Sequence, residues 1–268
     1  MKTRAITAFF FTLVMLGSFF LGGDVFTVFY LLLSLAALNE FYVLVKTAGI
    51  RPNRILGLIT GFLLFGYIAA FPFFPFDTRY LLLGVPLGLF IFISELYRKE
   101  KNPFSNIGFT FLGIIFVVIP FAFFYALGFL LDGTYNFHLP LAFMLMLWAS
   151  DTGAYLSGRK LGKTKLFERH SPKKTWEGFG GGILMSVLVA VIVSFLFKEI
   201  SMPVWAGMAV LIVSFGTLGD LVESMLKRSL DVKDSGTLLP GHGGLLDRFD
   251  GLLIAAPMVY VYLFLLIK

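Results

Sequence analysis

Apolar residues run along this chain in long uninterrupted blocks, separated by short clusters that hold nearly all of its charge. Segments 5–23, 55–76, 103–131, 178–197, 200–219 and 251–267 contain no Asp, Glu, Lys or Arg. Three more carry a single acid each: 25–45 with Glu40, 80–96 with Glu95 and 133–155 with Asp151. A helix needs about 20 apolar residues to cross a bilayer, and inside lipid it satisfies its own backbone. The pattern therefore predicts an all-α, polytopic integral membrane protein with about nine transmembrane helices. Composition agrees: 58% of the residues are hydrophobic, 14% are charged, and the mean hydropathy is +0.88. Soluble domains carry roughly a quarter charged residues.

The basic residues test that helix count. If the N-terminus is inside and every predicted helix crosses, all of the 22 Lys and Arg lie in inside segments except Arg79, Lys198 and Lys268. A missed or extra helix would scramble this bias, so the N-terminus is predicted to be cytoplasmic, in a multi-pass protein of the cell (inner) membrane. The net charge of +6 is then a topology signal, and no nucleic-acid partner is expected. The first apolar run follows Lys2 and Arg4 but lacks a small-residue cleavage site, which marks a retained helix. Phe71 to Phe76, with Asp77 after them, suit an aromatic belt and turn at the outer interface. The absence of cysteine excludes disulfides, thiolate metal sites and a Cys nucleophile. Residues 1–132 read as a scaffold of transmembrane helices facing lipid or a second copy. Residues 133–268 hold the helices whose cytoplasmic loops carry chemistry.

Two polar segments, about 158–177 and 227–250, both fall on the inside, where loops on a rigid scaffold concentrate binding and catalytic residues. Gly158-Arg159-Lys160-Leu161-Gly162-Lys163-Thr164 looks like a phosphate-binding P-loop. It has three residues between its glycines instead of four and follows an apolar helix instead of a strand, so it is rejected. Ser171-Pro172-Lys173-Lys174-Thr175-Trp176-Glu177-Gly178 combines lysines and hydroxyls just before a helix, a combination suited to polyphosphate or an anionic lipid headgroup. Gly180 to Gly182 suit close helix packing. Asp220, Glu223, Ser224 and Lys227 stand at i, i+3, i+4 and i+7 and share one helical face. Such a stripe faces a protein interior or wet cavity, or consists of acid–lysine pairs that only neutralise each other. Asp247 and Asp250 open the last helix; they could join Asp220 around a divalent cation, or Asp250 could simply cap the helix. Gly241-His242-Gly243-Gly244 could wrap a nucleotide or form a tight loop.

Ser224-x-Leu226-Lys227-Arg228, Lys233-Asp234 and Leu239-Pro240-x-His242-Gly243-Gly244-Leu245-x-Asp247-Arg248-Phe249-Asp250 together resemble the CDP-diacylglycerol synthases, or phosphatidate cytidylyltransferases, without departure. Ser150-Asp151-Thr152-Gly153-Ala154-Tyr155 and the Ser171–Gly178 motif extend the likeness. The resemblance implies CTP + phosphatidic acid → CDP-diacylglycerol + pyrophosphate, a cytoplasm-facing site, Mg²⁺, a second ion such as K⁺, and a homodimer. Residues before Ser150 match only as apolar helices and receive no role. On this reading Asp220 and Asp247 hold Mg²⁺, with Asp250 and Glu223 as further ligands or supports. Lys227, Arg228, Lys233 and Arg248 bind phosphates, while Lys173 and Lys174 reach the lipid phosphate or the triphosphate. Ser224, Asp234 and His242 make polar contacts with substrate, and Asp151 orients a base or ligand.

Competing readings are separable. The D-G-x-x-A-R motif of CDP-alcohol phosphotransferases is absent, since Asp250-Gly251 is followed by Leu252-Leu253-Ile254-Ala255. A CTP-dependent lipid or polyprenol kinase would release CDP instead of pyrophosphate. An ion-coupled transporter would spread its polar residues through two related halves near the midplane, whereas here they gather toward one face of the C-terminal half.

Overall fold

The computed structural model describes residues 2–74, 78–236 and 243–267. Their elements, in chain order, are α1 (Lys2–Phe20), α2 (Gly23–Lys46), α3 (Arg54–Ala70), a 3₁₀ turn (Thr78–Leu83) leading into α4 (Gly84–Tyr97), and α5 (Pro103–Gly113). A π-turn (Ile114–Val118) joins α5 to α6 (Ile119–Leu127), so the two form one span. Then come α7 (His138–Leu161), a hairpin of β1 (Lys165–Phe167) and β2 (Ser171–Thr175), α8 (Trp176–Leu196), α9 (Met202–Ser229) and α10 (Leu246–Ile267). Among the described residues, seven helical segments are long and apolar enough to cross a membrane, accompanied by shorter apolar helices at Phe9–Phe20 and Arg54–Ala70. The chain is an all-α, multi-pass membrane protein. Along α4, Leu89, Phe90, Ile93 and Leu96 are all exposed, as side chains facing lipid can be.

Lipid tails are as apolar as leucine, so helices in a bilayer associate through close packing and hydrogen bonds. Two packing regimes are visible. Toward the N-terminal half an aromatic cluster dominates: Phe26 lies 4.6 Å from Tyr30 and 5.8 Å from Tyr125, and Phe124 lies 5.0 Å from Tyr30 and 5.3 Å from Phe143. The Tyr125 hydroxyl donates to Ala69 O at 3.1 Å and that of Tyr42 to Thr110 O at 2.7 Å, tying α6 and α5 to their neighbours. α5 buries Asn106, Ile107 and Thr110, whereas α6 buries Phe121, Phe124 and Tyr125. Near the start of α5, Asn106 Nδ2 donates to Glu95 Oε1 at 2.8 Å and Arg98 pairs with Glu95 at 2.7 Å, so the lone acid of α4 is buried but fully partnered.

In the C-terminal half, small residues set the distances. α7 packs on α8 and α8 on α9, while α10 packs on α9, α6 and α2. A β-carbon on Gly219 would fall 2.3 Å from Asp250 O, so only glycine lets α9 and α10 cross at this point. This crossing places Asp220 beside Asp250. Gly181 and Gly182 likewise receive α7, with Ser157 Oγ and Ser150 O in the way of any side chain, as their packing role requires; Gly180 faces open space.

Several boundaries differ from those read off hydropathy. α7 starts at His138, not 133, and continues through Gly158 to Leu161, so the first four residues of the rejected P-loop pattern are helical. The basic segment after it is a short antiparallel hairpin with Lys165 opposite Thr175 and Phe167 opposite Ser171. Glu177 fastens the start of that hairpin by accepting from Lys163 N and Thr164 N at 3.1 Å. α9 extends to Ser229, and α10 begins at Leu246, so Asp247 and Asp250 open the last helix as expected, ahead of the uncharged run that starts at 251. Phe71, Phe73 and Phe74 are exposed, as an interfacial belt would be. Pro75, Phe76 and Asp77 lie outside the described residues, as do residues 237–242, including His242.

Candidate active site

α7, β2, α8, α9 and α10 enclose a cavity of ≈ 550 Å³, and α1 covers one side with Thr7, Phe11 and Thr12. That volume suits a small-molecule site. Its polar wall is built from Asp151 of α7, Lys173 and Lys174 of β2, Asp220 of α9, and Asp247, Arg248 and Asp250 of α10. Its apolar wall includes Phe11, Trp148, Tyr155 and Phe179. One compartment thus offers carboxylates, cationic groups and an aromatic flank.

Two networks organise these groups. In the first, which opens to the cavity, Lys174 Nζ lies 2.6 Å from Asp220 Oδ2 and Ser224 Oγ donates to Asp220 Oδ1 at 3.2 Å. Asp250 lies within electrostatic range of both Asp220 and Asp151, and its Oδ1 accepts from Gly251 N at 2.7 Å. Three carboxylates therefore face one space.

The second network is closed. Lys227 Nζ bridges Glu223 Oε2 and Asp247 Oδ1, each at 2.7 Å, with the three side chains 12%, 1% and 11% exposed. Asp247 Oδ2 accepts from Ser235 N at 3.0 Å and Gly244 N at 2.9 Å, and Ser235 Oγ lies 3.0 Å from it. Ser235 Oγ also reaches Glu40 Oε1 at 2.7 Å, and Glu40 accepts from Leu245 N and Leu246 N at 2.9 and 3.0 Å. A continuous polar chain thus runs from Glu223 on α9 through Lys227, Asp247 and Ser235 to Glu40 on α2.

The helical stripe predicted from spacing is present, but its members divide their work. Glu223 and Lys227 pair with each other, whereas Asp220 turns to Lys174 and the cavity. Asp151, Lys173, Lys174, Asp220, Asp247, Arg248 and Asp250 are brought together. Glu223 and Lys227 join this group through Asp247, and Glu223 also lies within electrostatic range of Asp250. Arg228, Lys233 and Asp234 lie on exposed surface away from the cavity lining, Arg228 Nη1 donating to Val232 O at 3.2 Å. Glu40 and Ser235 were assigned no role from sequence. The signal for Glu40 was its lone charge in an apolar span; its partners lie some two hundred positions away.

Among the described residues, no three His, Asp or Glu side chains stand close enough to hold a metal ion by themselves. The donors facing the cavity are nevertheless hard carboxylate oxygens, and Mg²⁺ commonly takes one or two of them and completes its shell with water and phosphate. A polyphosphate entering here would meet Asp151, Asp220 and Asp250, and a divalent cation between the two sets of anions relieves the repulsion. Asp250, Asp220 and Asp151 fit that task. Asp247 is mostly committed, since Oδ2 already accepts from two backbone amides and Oδ1 accepts from Lys227.

Comparison with known proteins gives concordant results. The sequence profile of a family described as "Cytidylyltransferase family" matches residues 2–266. A phosphatidate cytidylyltransferase of Staphylococcus epidermidis is 37% identical over 266 residues, 98% of this chain and 99% of that protein. Proteins of the same name from Staphylococcus haemolyticus and Staphylococcus aureus are each 36% identical over the same shares.

Proposed function

Because the chain belongs to the cytidylyltransferase family, we propose that it transfers the cytidylyl group of CTP to phosphatidic acid, forming CDP-diacylglycerol and pyrophosphate for phospholipid synthesis. The observation that carries this reading is the single cavity in which Asp151, Asp220 and Asp250 face Lys173, Lys174 and Arg248 beside an apolar flank. Nucleotide phosphates, a cation and a lipid phosphate are the ligands that such a lining recognises.

In the reaction, an anionic oxygen of the lipid phosphate attacks the α-phosphorus of CTP in line. A new P–O–P bond forms as the bond from the α-phosphorus to the bridging oxygen breaks, and pyrophosphate leaves with that electron pair. The nucleophile is already ionised, so catalysis rests on holding two anions together and stabilising the leaving group. Lys173, Lys174 and Arg248 are assigned to phosphate oxygens, and Asp151 to orienting a ligand from α7. Asp220 and Asp250 would hold Mg²⁺, with Asp151 beside them. Asp247 contributes through the Oδ1 lone pair that Lys227 leaves. When bound, the ion would neutralise phosphate charge and polarise the reacting phosphoryl group. Lys227 and Glu223 fix Asp247.

The site is proposed to face the cytosol, where CTP is supplied, in a multi-pass protein of the cell membrane. The homodimer implied by the resemblance belongs to the same proposal and is checked by cross-linking in membranes. The deciding experiment supplies purified protein with α-³²P CTP, phosphatidic acid and Mg²⁺. Label in the lipid phase, lost on chelation and in Asp220→Ala, is the expected result. Label recovered as CDP with unlabelled lipid phosphorylated instead would overturn the reading in favour of a kinase.

A further inference from the structure

We propose that Glu40, in the N-terminal half, is a positioning residue for the reaction: it holds the backbone that presents Asp247 to the site. The inference rests on the site assignment proposed above and adds to it a residue from a different part of the chain.

The geometry is specific. Glu40 is 8% exposed, yet three donors reach its carboxylate: Ser235 Oγ, Leu245 N and Leu246 N. Two of these are backbone amides at the start of α10, which have no partner within the helix. Glu40 thus caps α10 from α2, and its negative charge suits the positive end of the helix dipole. Charge-assisted bonds of this kind are stronger than neutral ones and fix direction as well as distance.

The carboxylate also holds chain on both sides of residues 237–242. A β-carbon on Gly244 would lie 2.1 Å from both Glu40 Oε1 and Ser235 Oγ, and one on Gly236 would lie 2.9 Å from Glu40 Oε2. The two glycines form a cradle that Glu40 fills. Gly244 and Ser235, the neighbour of Gly236, are the residues whose N–H groups orient Asp247. Moving the carboxylate therefore moves the donors that aim Asp247.

Glu95 supplies the control. It is an equally buried lone acid, 4% exposed, satisfied by Arg98 and Asn106 and without contact to this network. The test compares Glu40→Gln, Ser235→Ala, Glu95→Gln and Asp220→Ala in the full-length protein, measuring unfolding temperature together with kcat and KM for CTP. In Glu40→Gln, either amide orientation turns an NH₂ toward a donor; kcat should fall ~10- to 100-fold, the scale of a small misplacement of a reacting group. KM for CTP should change far less. Ser235→Ala cuts the hydroxyl link between the two acids and should lower kcat in the same sense, even if Glu40→Gln does not fold. Glu95→Gln should lower the unfolding temperature while keeping kcat. Wild-type kcat in Ser235→Ala, or in a folded Glu40→Gln beside an inactive Asp220→Ala, would overturn the proposal. So would losses of kcat that track unfolding temperature alike in the Glu40 and Glu95 variants. An active Asp220→Ala would instead remove the site assignment beneath it.

Discussion

Lys227 and Asp247 stand 2.7 Å apart, and the same ammonium lies 2.7 Å from Glu223, so one lysine bridges two buried acids from adjacent helices. Removing one partner of such a group leaves the others buried without compensation. Lys227→Met should cost about 3–5 kcal/mol of stability, as broken buried ion pairs do, and should abolish turnover because Asp247 loses its Oδ1 partner. Thermal unfolding in detergent and product formation check both effects. Lys227→Arg should recover stability better than activity, since a planar fork cannot reproduce the point contact to two acids.

Lys174 and Asp220 present the opposite case. Their side chains are 24% and 36% exposed, so their ion pair should contribute no more than about 1 kcal/mol to stability. Lys174→Ala is therefore expected to fold normally and to raise KM for CTP or phosphatidic acid. Separate titrations of the two substrates identify which phosphate it holds, and a protein with unchanged KM for both would remove Lys174 from the binding set.

Gly219 offers a test that leaves every polar residue in place. Alanine would put its β-carbon 2.3 Å from Asp250 O, and backbone must move to admit it. Separating α9 from α10 here separates Asp220 from Asp250. Gly219→Ala should lower kcat by ~10- to 100-fold and raise the Mg²⁺ concentration needed for half-maximal rate. An unchanged Mg²⁺ requirement would argue against these two acids sharing the ion.

Orientation can be read directly because the chain contains no cysteine. Lys163 and Asp132 are both exposed and both lie away from the cavity lining. In intact cells a membrane-impermeant maleimide should label Asp132→Cys and spare Lys163→Cys, which should react only after permeabilisation. The reverse pattern would place the site on the outer side.

The parts of this architecture legible in sequence are those governed by local arithmetic. Uninterrupted apolar runs marked the spans, and spacings of three and four put Asp220, Glu223, Ser224 and Lys227 on one face. What spacing could not show was where each member of that face would turn. Asp220 meets Lys174 of β2, a strand that is short and polar, without the alternation that marks a strand in sequence. Asp247 and Asp250 were legible as the opening of α10, which begins at Leu246, but the partners of that helix start were not. Those partners include Glu40, which is 205 and 206 positions from the amides it caps. Arg228 and Lys233 show the converse: they sit within a specific motif yet stand outside the cavity lining.

The π-turn at Ile114–Val118 gives the fifth crossing a phase as well as a length. Each residue turns an α-helix by about 100°, and a π-turn takes in one residue beyond α-helical spacing. The faces on either side are therefore rotated relative to each other. Asn106 and Thr110 address the polar cluster of Glu95 and Asn53, while Phe121 meets Phe249 on α10 at 5.2 Å. Losing one residue of the turn would leave hydropathy almost unaltered and still direct one half of the span at the wrong neighbours. This span is keyed, and its composition alone does not contain the key.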